Sequence, residues 1–133
     1  MRIVYQALRA LGRMVLIELS LRTSDLPTTC RRLGVRFDLD SAAPPAAERA
    51  VLPPELWATV RACRAVLLRW PAGDTCLRRC LLVGHRVRRL RPVLRIGVRR
   101  GDDGAFAAHS WLEIDGRTLD PTAAGYSTLG QVG

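Results

Sequence analysis

The 133-residue sequence contains no lysine, so its 21 basic residues are all arginine; they face 12 acidic residues and give a formal net charge of +9. It also lacks an apolar run near the roughly 20 residues that a membrane-spanning helix needs. The apolar stretch at residues 14–17 is short, is followed by Glu18 and precedes no small-residue cleavage site, so it does not predict a secretion signal. We therefore expect a cytoplasmic protein without a membrane span.

Aromatic residues are also scarce, at 5% of the chain. An excess of arginine indicates either a basic surface for nucleic acid, anionic membrane or acidic peptide, or a merely solvated face. Nucleic-acid binding usually adds stacking aromatics to the basic residues, and the aromatics here do not interleave with the arginines. We expect no nucleic-acid partner, although a non-enzymatic basic module that binds nucleic acid stays open as an alternative function.

A chain of 133 residues with 48% hydrophobic content is large enough for one compact core and too short for two domains. We predict a single domain over residues 1–133, with a helical leader region at 1–37 and an irregular, proline-rich connection at 38–54. Residues 55–133 then form the part that carries the chemistry.

Apolar periodicity predicts two helices in the leader region. The first covers residues 3–21, and the face expected to lie on the core is formed by Val4, Leu8, Leu11, Val15 and Leu19. The second is short, is capped by Ser24 or Asp25 and ends just before Gly34.

Two more helices follow the connection. A helix from Pro54 to about Arg69 places Leu56, Val60, Cys63 and Leu67 on one stripe. The next runs from Cys76 to about Leu90, where Pro92 ends it, and Gly84 is a notch for close packing.

The last third of the sequence is predicted to form strands. Alternation predicts strands at 93–100 and 106–115. Asp115-Gly116 is the preferred pair for a two-residue hairpin loop, leading to a strand at about 117–120. The fold class is therefore α+β, with a helical N-terminal half and then a helix that opens with a cysteine, packed on a small antiparallel sheet.

The hairpin register predicts a histidine–carboxylate pair. With a two-residue loop, Asp120 lies opposite Trp111, and His109 shares the face of Trp111. Diagonal neighbours across strands are roughly 7 Å apart, within reach of an imidazole and a carboxylate. A three-residue loop would turn Asp120 to the other face, so this pair depends on the register.

Cys76 is the candidate nucleophile, because Asp74 or Thr75 would cap the helix that it opens. Exposed N–H groups and the helix dipole favour a thiolate there, and the same N–H groups can bind an oxyanion. The nearby negative charge of the Asp74 carboxylate would disfavour the thiolate. Cys76, His109 and Asp120 thus have the order and setting of a nucleophile, its base and the residue that orients the base.

The remaining cysteines, Cys30, Cys63 and Cys80, are expected to be reduced packing residues. Cys76, Cys80 and His85 lie on neighbouring turns, yet their spacing matches no common zinc pattern. We therefore expect neither a metal nor a cofactor.

Three segments carry a resemblance to a known family: residues 75–81 (TCLRRCL), 94–99 (LRIGVR) and 108–113 (AHSWLE), followed by Asp115-Gly116. The chain resembles the transglutaminase-like peptidases of lasso-peptide biosynthesis, and more closely the stand-alone leader peptidase encoded where the biosynthetic B protein is split in two. The likeness extends more weakly through Arg32-Leu33-Gly34. Cys80 and Ser110 depart from the pattern, which commonly has serine and alanine there.

The resemblance implies a papain-like or transglutaminase-like core with Cys76 as nucleophile, His109 as general base and acid, and Asp120 as the residue that orients His109. It implies removal of the leader from a ribosomally made precursor peptide, after which a cyclase closes a macrolactam on the freed core. A separate small protein would bind the leader. An acyltransferase or transglutaminase with the same triad stays open as an alternative.

Overall fold

A computed structural model describes residues 2–73 and 75–132. The helices are α1 (Arg2–Thr23), α2 (Leu26–Leu33), α3 (Trp57–Leu68), α4 (Cys76–Arg86) and α5 (Leu129–Val132). The strands are β1 (Arg36–Phe37), β2 (Val93–Arg100), β3 (Phe106–Ile114), β4 (Arg117–Thr118) and β5 (Ser127–Thr128). Short 3-10 turns occupy Pro54–Leu56, Arg88–Leu90 and Pro121–Gly125. The predicted α+β class, with helices first and the main strands later, is confirmed.

The sheet is mixed rather than purely antiparallel. Its strand order is β1-β2-β3-β4, and β5 also pairs with β2. β1 runs parallel to β2, whereas the other pairings are antiparallel. Gly34, with φ of 76°, ends α2 in the left-handed conformation and redirects the backbone. The next residues can therefore form β1 alongside β2. A two-residue strand such as β1 carries no alternation signal, so the sequence did not predict it.

α4 packs closely against the sheet through its glycine. A Cβ added at Gly84 would lie 2.9 Å from Val35 Cγ2 and 3.4 Å from Leu112 Cδ2. The predicted notch is confirmed, but the helix ends at Arg86 rather than Leu90. The residue before a proline is disfavoured in the α region, and here Arg91, which precedes Pro92, adopts φ of 56°.

The predicted core-facing side of α1 is wrong. The residues assigned to it are 43–63% exposed: Val4, Leu8, Leu11, Val15 and Leu19. The buried residues are instead Ala10, Met14 and Ile17. α1 is apolar on two sides, so periodicity alone cannot select the packed one. The observed orientation places Glu18 against α4, where two hydrogen bonds of 2.9 and 3.0 Å from Arg78 lower the pKa of the Glu18 carboxyl.

The other helix predictions hold more closely. Asp25, rather than Ser24, caps α2 by accepting a hydrogen bond of 2.8 Å from the backbone N–H of Thr28. In the third predicted helix, the first turn is a 3-10 turn and α3 begins at Trp57. The stripe predicted for that helix faces the core, with Leu56, Cys63 and Leu67 buried.

The segment at residues 38–54 covers one face of the sheet. Beneath it, a buried ion pair joins Arg95 Nη1 to Glu113 Oε1 at 3.3 Å. Arg95 also donates to the carbonyl of Ala43, and Glu113 accepts from the N–H of Ala46. Because these charged groups hold its backbone, the segment belongs to the packed structure.

Removal of the Glu113 carboxylate is expected to lower the free energy of unfolding strongly. In Glu113→Ala, Arg95 stays buried without a counter-ion, which costs about 3–5 kcal/mol. The matched control is Glu48→Ala, which removes the exposed pair of Glu48 with Arg117 at 3.5 Å; it is expected to cost less than about 1 kcal/mol. Urea unfolding followed by circular dichroism measures both. Equal losses in the free energy of unfolding would show that the buried pair contributes no more to stability than the exposed pair.

Candidate active site

Cys76 is the first residue of α4. Of its two predicted caps, Thr75 caps the helix: its Oγ1 accepts a hydrogen bond of 3.2 Å from the N–H of Arg78. Asp74, the other predicted cap and the carboxylate expected to oppose a thiolate, lies outside the described residues. Cys76 is partly exposed. Its thiol therefore lies at a solvent-accessible helix end, where backbone N–H groups have no helical partner.

The other three thiols lie in different surroundings. Burial raises the pKa of Cys30 to about 11 and those of Cys63 and Cys80 to about 12. The Ser110 hydroxyl lies against the Cys80 thiol and acts to lower its pKa, but burial raises that pKa by more. At neutral pH these three remain protonated packing residues, as the sequence predicts.

The hairpin after β3 has the predicted two-residue loop. Asp115 and Gly116 adopt positive φ angles of 51° and 72°, as a type I′ turn requires. Ile114 pairs with Arg117, so the register is the predicted one. Asp120 consequently lies on the same side of the hairpin as His109.

His109 and Asp120 are joined by a hydrogen bond of 2.5 Å between Nε2 and Oδ2. The other carboxylate oxygen of Asp120 accepts from the N–H and hydroxyl of Thr122 at 3.0 and 2.6 Å. Burial acts to raise the pKa of Asp120, but the hydrogen bonds from Thr122 and His109 outweigh it and lower the pKa. Asp120 is thus an ionised acceptor at neutral pH, and Nε2 of His109 carries the proton that it donates.

This assignment leaves Nδ1 as the basic nitrogen of neutral His109. Nδ1 makes no hydrogen bond to the part of the chain that the structure describes. The imidazole is therefore oriented at one nitrogen and available for proton transfer at the other.

Two aromatic rings hold the imidazole of His109 from the sides. Trp111 stacks on it with ring centroids 6.0 Å apart, and Tyr126 lies at 5.0 Å. The indole N–H of Trp111 donates to Glu113 Oε2 at 2.9 Å, which fixes the indole in turn. The sequence placed Trp111 on the face of His109, but nothing local pointed to Tyr126, since it arrives from beyond the hairpin.

α4 runs alongside β3 in the same direction. Cys80 faces Ser110, and one turn later Gly84 faces Leu112. Four helical residues rise about 6 Å and two strand residues about 6.7 Å. The two elements therefore stay in step, one helical turn for every two strand residues.

The same alignment locates Cys76. One turn before Cys80, it falls at the level of Ala108, which shares the strand face of Ser110 and Leu112. The Asp120 charge also acts on Cys80, in the direction that raises the pKa of its thiol. The structure thus brings His109 and Asp120 into contact and puts Cys76 at the start of α4, with no hydrogen bond from its thiol to any described residue.

Metal ligands do not cluster in the described part of the chain: no three His, Cys, Asp or Glu side chains there are grouped to hold a metal ion. His85, which the sequence placed near Cys76 and Cys80, instead directs its Nδ1 to the carbonyl of Leu33 at 2.9 Å. Of the helices described, none has the length and apolar character that crossing a membrane demands.

A cysteine at a helix N-terminus and a hydrogen-bonded histidine–aspartate pair are the groups used by thiol enzymes that act through an acyl intermediate. The family model described as the Transglutaminase-like superfamily matches residues 13–131. The chain therefore belongs to this superfamily, whose members usually have cysteine-dependent enzymatic activity. No curated protein and no solved structure matches the chain.

Proposed function

We propose that this protein is a cysteine peptidase that removes the leader from a ribosomally synthesised lasso-type precursor peptide. The observation that carries the proposal is the hydrogen-bonded His109–Asp120 pair, and the partly exposed Cys76 at the start of α4 supports it. Superfamily membership supports cysteine-dependent chemistry, and the resemblance of residues 75–81, 94–99 and 108–113 supports the leader-peptidase role.

In the first half of the reaction, Nδ1 of His109 takes the proton from the Cys76 thiol. The thiolate sulfur attacks the carbonyl carbon of the last leader residue, and the developing oxyanion is stabilised by free N–H groups at the start of α4. Asp120 stabilises the imidazolium that forms and keeps its Nδ1–H directed at the reacting atoms.

In the second half, the imidazolium gives its proton to the nitrogen of the departing core peptide, which leaves as a free amine. The leader is then a thioester on Cys76. His109 takes a proton from water, the hydroxide oxygen attacks the thioester carbonyl, and the sulfur leaves to regenerate the thiol. One peptide bond and one water molecule are consumed.

The partners follow from this role. The substrate is the precursor, made of leader and core, and a small leader-binding protein presents it to the peptidase. A cyclase then uses the freed core amine. A peptidase that acts on a newly translated precursor works in the cytoplasm, and no cofactor enters the steps above.

The identity of the acyl acceptor tests the proposal. The protein is incubated with a precursor and leader-binding protein encoded by neighbouring reading frames, in H₂¹⁸O and with an added primary amine, and the products are weighed by mass spectrometry. We expect a free core amine and a leader acid that carries one ¹⁸O atom. A leader joined to the added amine would instead identify an acyltransferase with the same triad.

A further inference from the structure

α1 presents an apolar surface that no described residue covers. Six of its apolar side chains are between 43% and 63% exposed: Val4, Leu8, Leu11, Val15, Leu16 and Leu19. At 100° and 1.5 Å per residue they share one side of the helix over a length of about 22 Å. A contiguous apolar patch of this kind on a globular protein usually marks an interaction site. We call it the α1 apolar side.

An arginine cluster borders the α1 apolar side. Arg9 and Arg13 of α1 lie near Arg86 and Arg88, and burial together with their positive charges lowers the pKa of Arg86. None of these four arginines has a carboxylate partner within the described residues. Like charges gathered without counter-ions repel one another, so an incoming anion would relieve the repulsion.

Two hollows lie beside this cluster. One, of about 350 Å³, is lined by Arg13, Leu16, Leu19 and His85 among others. The other, of about 470 Å³, is lined by Arg9, Arg86 and Arg88 among others. Because Arg9 and Arg13 are one helical turn apart, the hollows are neighbours along α1. We call the two hollows together the α1 groove.

The α1 groove also holds buried polar atoms without partners. His85 is 7% exposed; its Nδ1 donates to the Leu33 carbonyl, while its buried Nε2 makes no hydrogen bond to the described residues. Arg86 donates through Nη2 to Gln6, but its buried Nε has no partner there either. Buried polar atoms without a hydrogen-bond partner are unusual in folded proteins, so these two point to a ligand that binds in the α1 groove.

We propose that the α1 apolar side and the α1 groove together dock a partner protein through an amphipathic helix whose apolar face is edged with Asp or Glu. Leucine-type side chains would cover the α1 apolar side, and carboxylates would pair with Arg9, Arg13 and Arg86. A second copy of this chain, with a net charge of +9, would bring more positive charge to the arginines, and it therefore does not fit.

The arginine cluster of the docking surface lies away from the candidate nucleophile. Arg86 ends α4 and Cys76 begins it, which separates the two by about 15 Å along the helix axis. The docking proposal uses none of the residues proposed for the peptidase chemistry, so each proposal can fail without the other.

The test uses a fluorescein-labelled helical peptide of about four turns, with Leu on one face and Glu at its edges, in fluorescence anisotropy. We expect micromolar binding that weakens with added salt, because salt screens the carboxylate–arginine attraction. The same peptide with Gln for every Glu, or with Ser for every Leu, is expected to bind at least about tenfold more weakly. Equal binding of the Gln peptide, or no binding of the Glu peptide, would overturn the proposal.

Variants locate the site on this chain. Leu8→Ser and Arg9→Gln are each expected to weaken peptide binding at least about tenfold, with unchanged melting temperature and unchanged cleavage of a short uncharged substrate. Matched controls are Val51→Ser and Arg117→Gln, which alter an exposed apolar residue and an exposed arginine elsewhere; they should bind normally. Loss of binding in the controls, dimerisation through α1 in sedimentation, or binding to phosphatidylserine vesicles in place of the peptide would contradict the proposal.

Discussion

Cys76→Ala is expected to reduce leader release by about 10⁴-fold or more, because loss of a nucleophile typically removes nearly all catalysis beyond binding and oxyanion stabilisation. Alanine suits a helix, and Cys76 is a partly exposed residue without side-chain hydrogen bonds to the described residues. The melting temperature and the circular dichroism spectrum should therefore match those of the unmodified protein. Discontinuous assays resolved by mass spectrometry measure the rate.

The matched control is Cys80→Ala, one helical turn away. Burial raises the pKa of the Cys80 thiol to about 12, so it has no part in the chemistry, and its removal should leave the rate within a few-fold. A small loss of stability is expected, since a buried sulfur is removed from the core. If Cys76→Ala still released the leader at an ordinary rate, the assignment of the nucleophile would be wrong.

The parts of the site that the sequence predicted are those encoded locally. Asp115 and Gly116 determine their own turn, because few residues tolerate the positive φ angles of a type I′ loop. Alternation along β3 then determines which side chains share the face of His109. A helix cap is likewise a matter of three or four residues, so the start of α4 at Cys76 was also predictable. These local rules were sufficient to bring His109 and Asp120 together.

The parts that the sequence did not predict depend on distant residues. The packed side of α1 is selected by what lies opposite, including the Arg78 partner of Glu18, and a helix with two apolar sides fits either way. The pairing of Arg95 with Glu113 joins two strands, and it buries charges that the pattern of β2 alone would place outside. Tyr126 reaches His109 only after the chain has turned back past Asp120.

Asp120→Ala is expected to lower kcat by about 10²- to 10⁴-fold with little change in KM, because a positioning carboxylate acts on the imidazolium and not on substrate binding. Without Asp120, Nε2 of His109 loses its acceptor and the ring is free to present the wrong nitrogen. Asp120→Asn should recover part of the loss, since its amide oxygen accepts the same hydrogen bond without the charge. Steady-state kinetics with the precursor measures both parameters.

Two further observations separate this role from a structural one. Thr122→Val removes a hydroxyl that donates to the other oxygen of Asp120 at 2.6 Å, and it should leave kcat nearly unchanged because the bond to His109 remains. Since hydrogen bonds from Thr122 and His109 outweigh burial and lower the pKa of Asp120, the carboxylate stays charged throughout the neutral range. The ratio of unmodified to Asp120→Asn rates should thus be constant there and fall only when acid protonates Asp120. If the Asp120→Ala variant kept the kcat of the unmodified protein, Asp120 would have no role in catalysis.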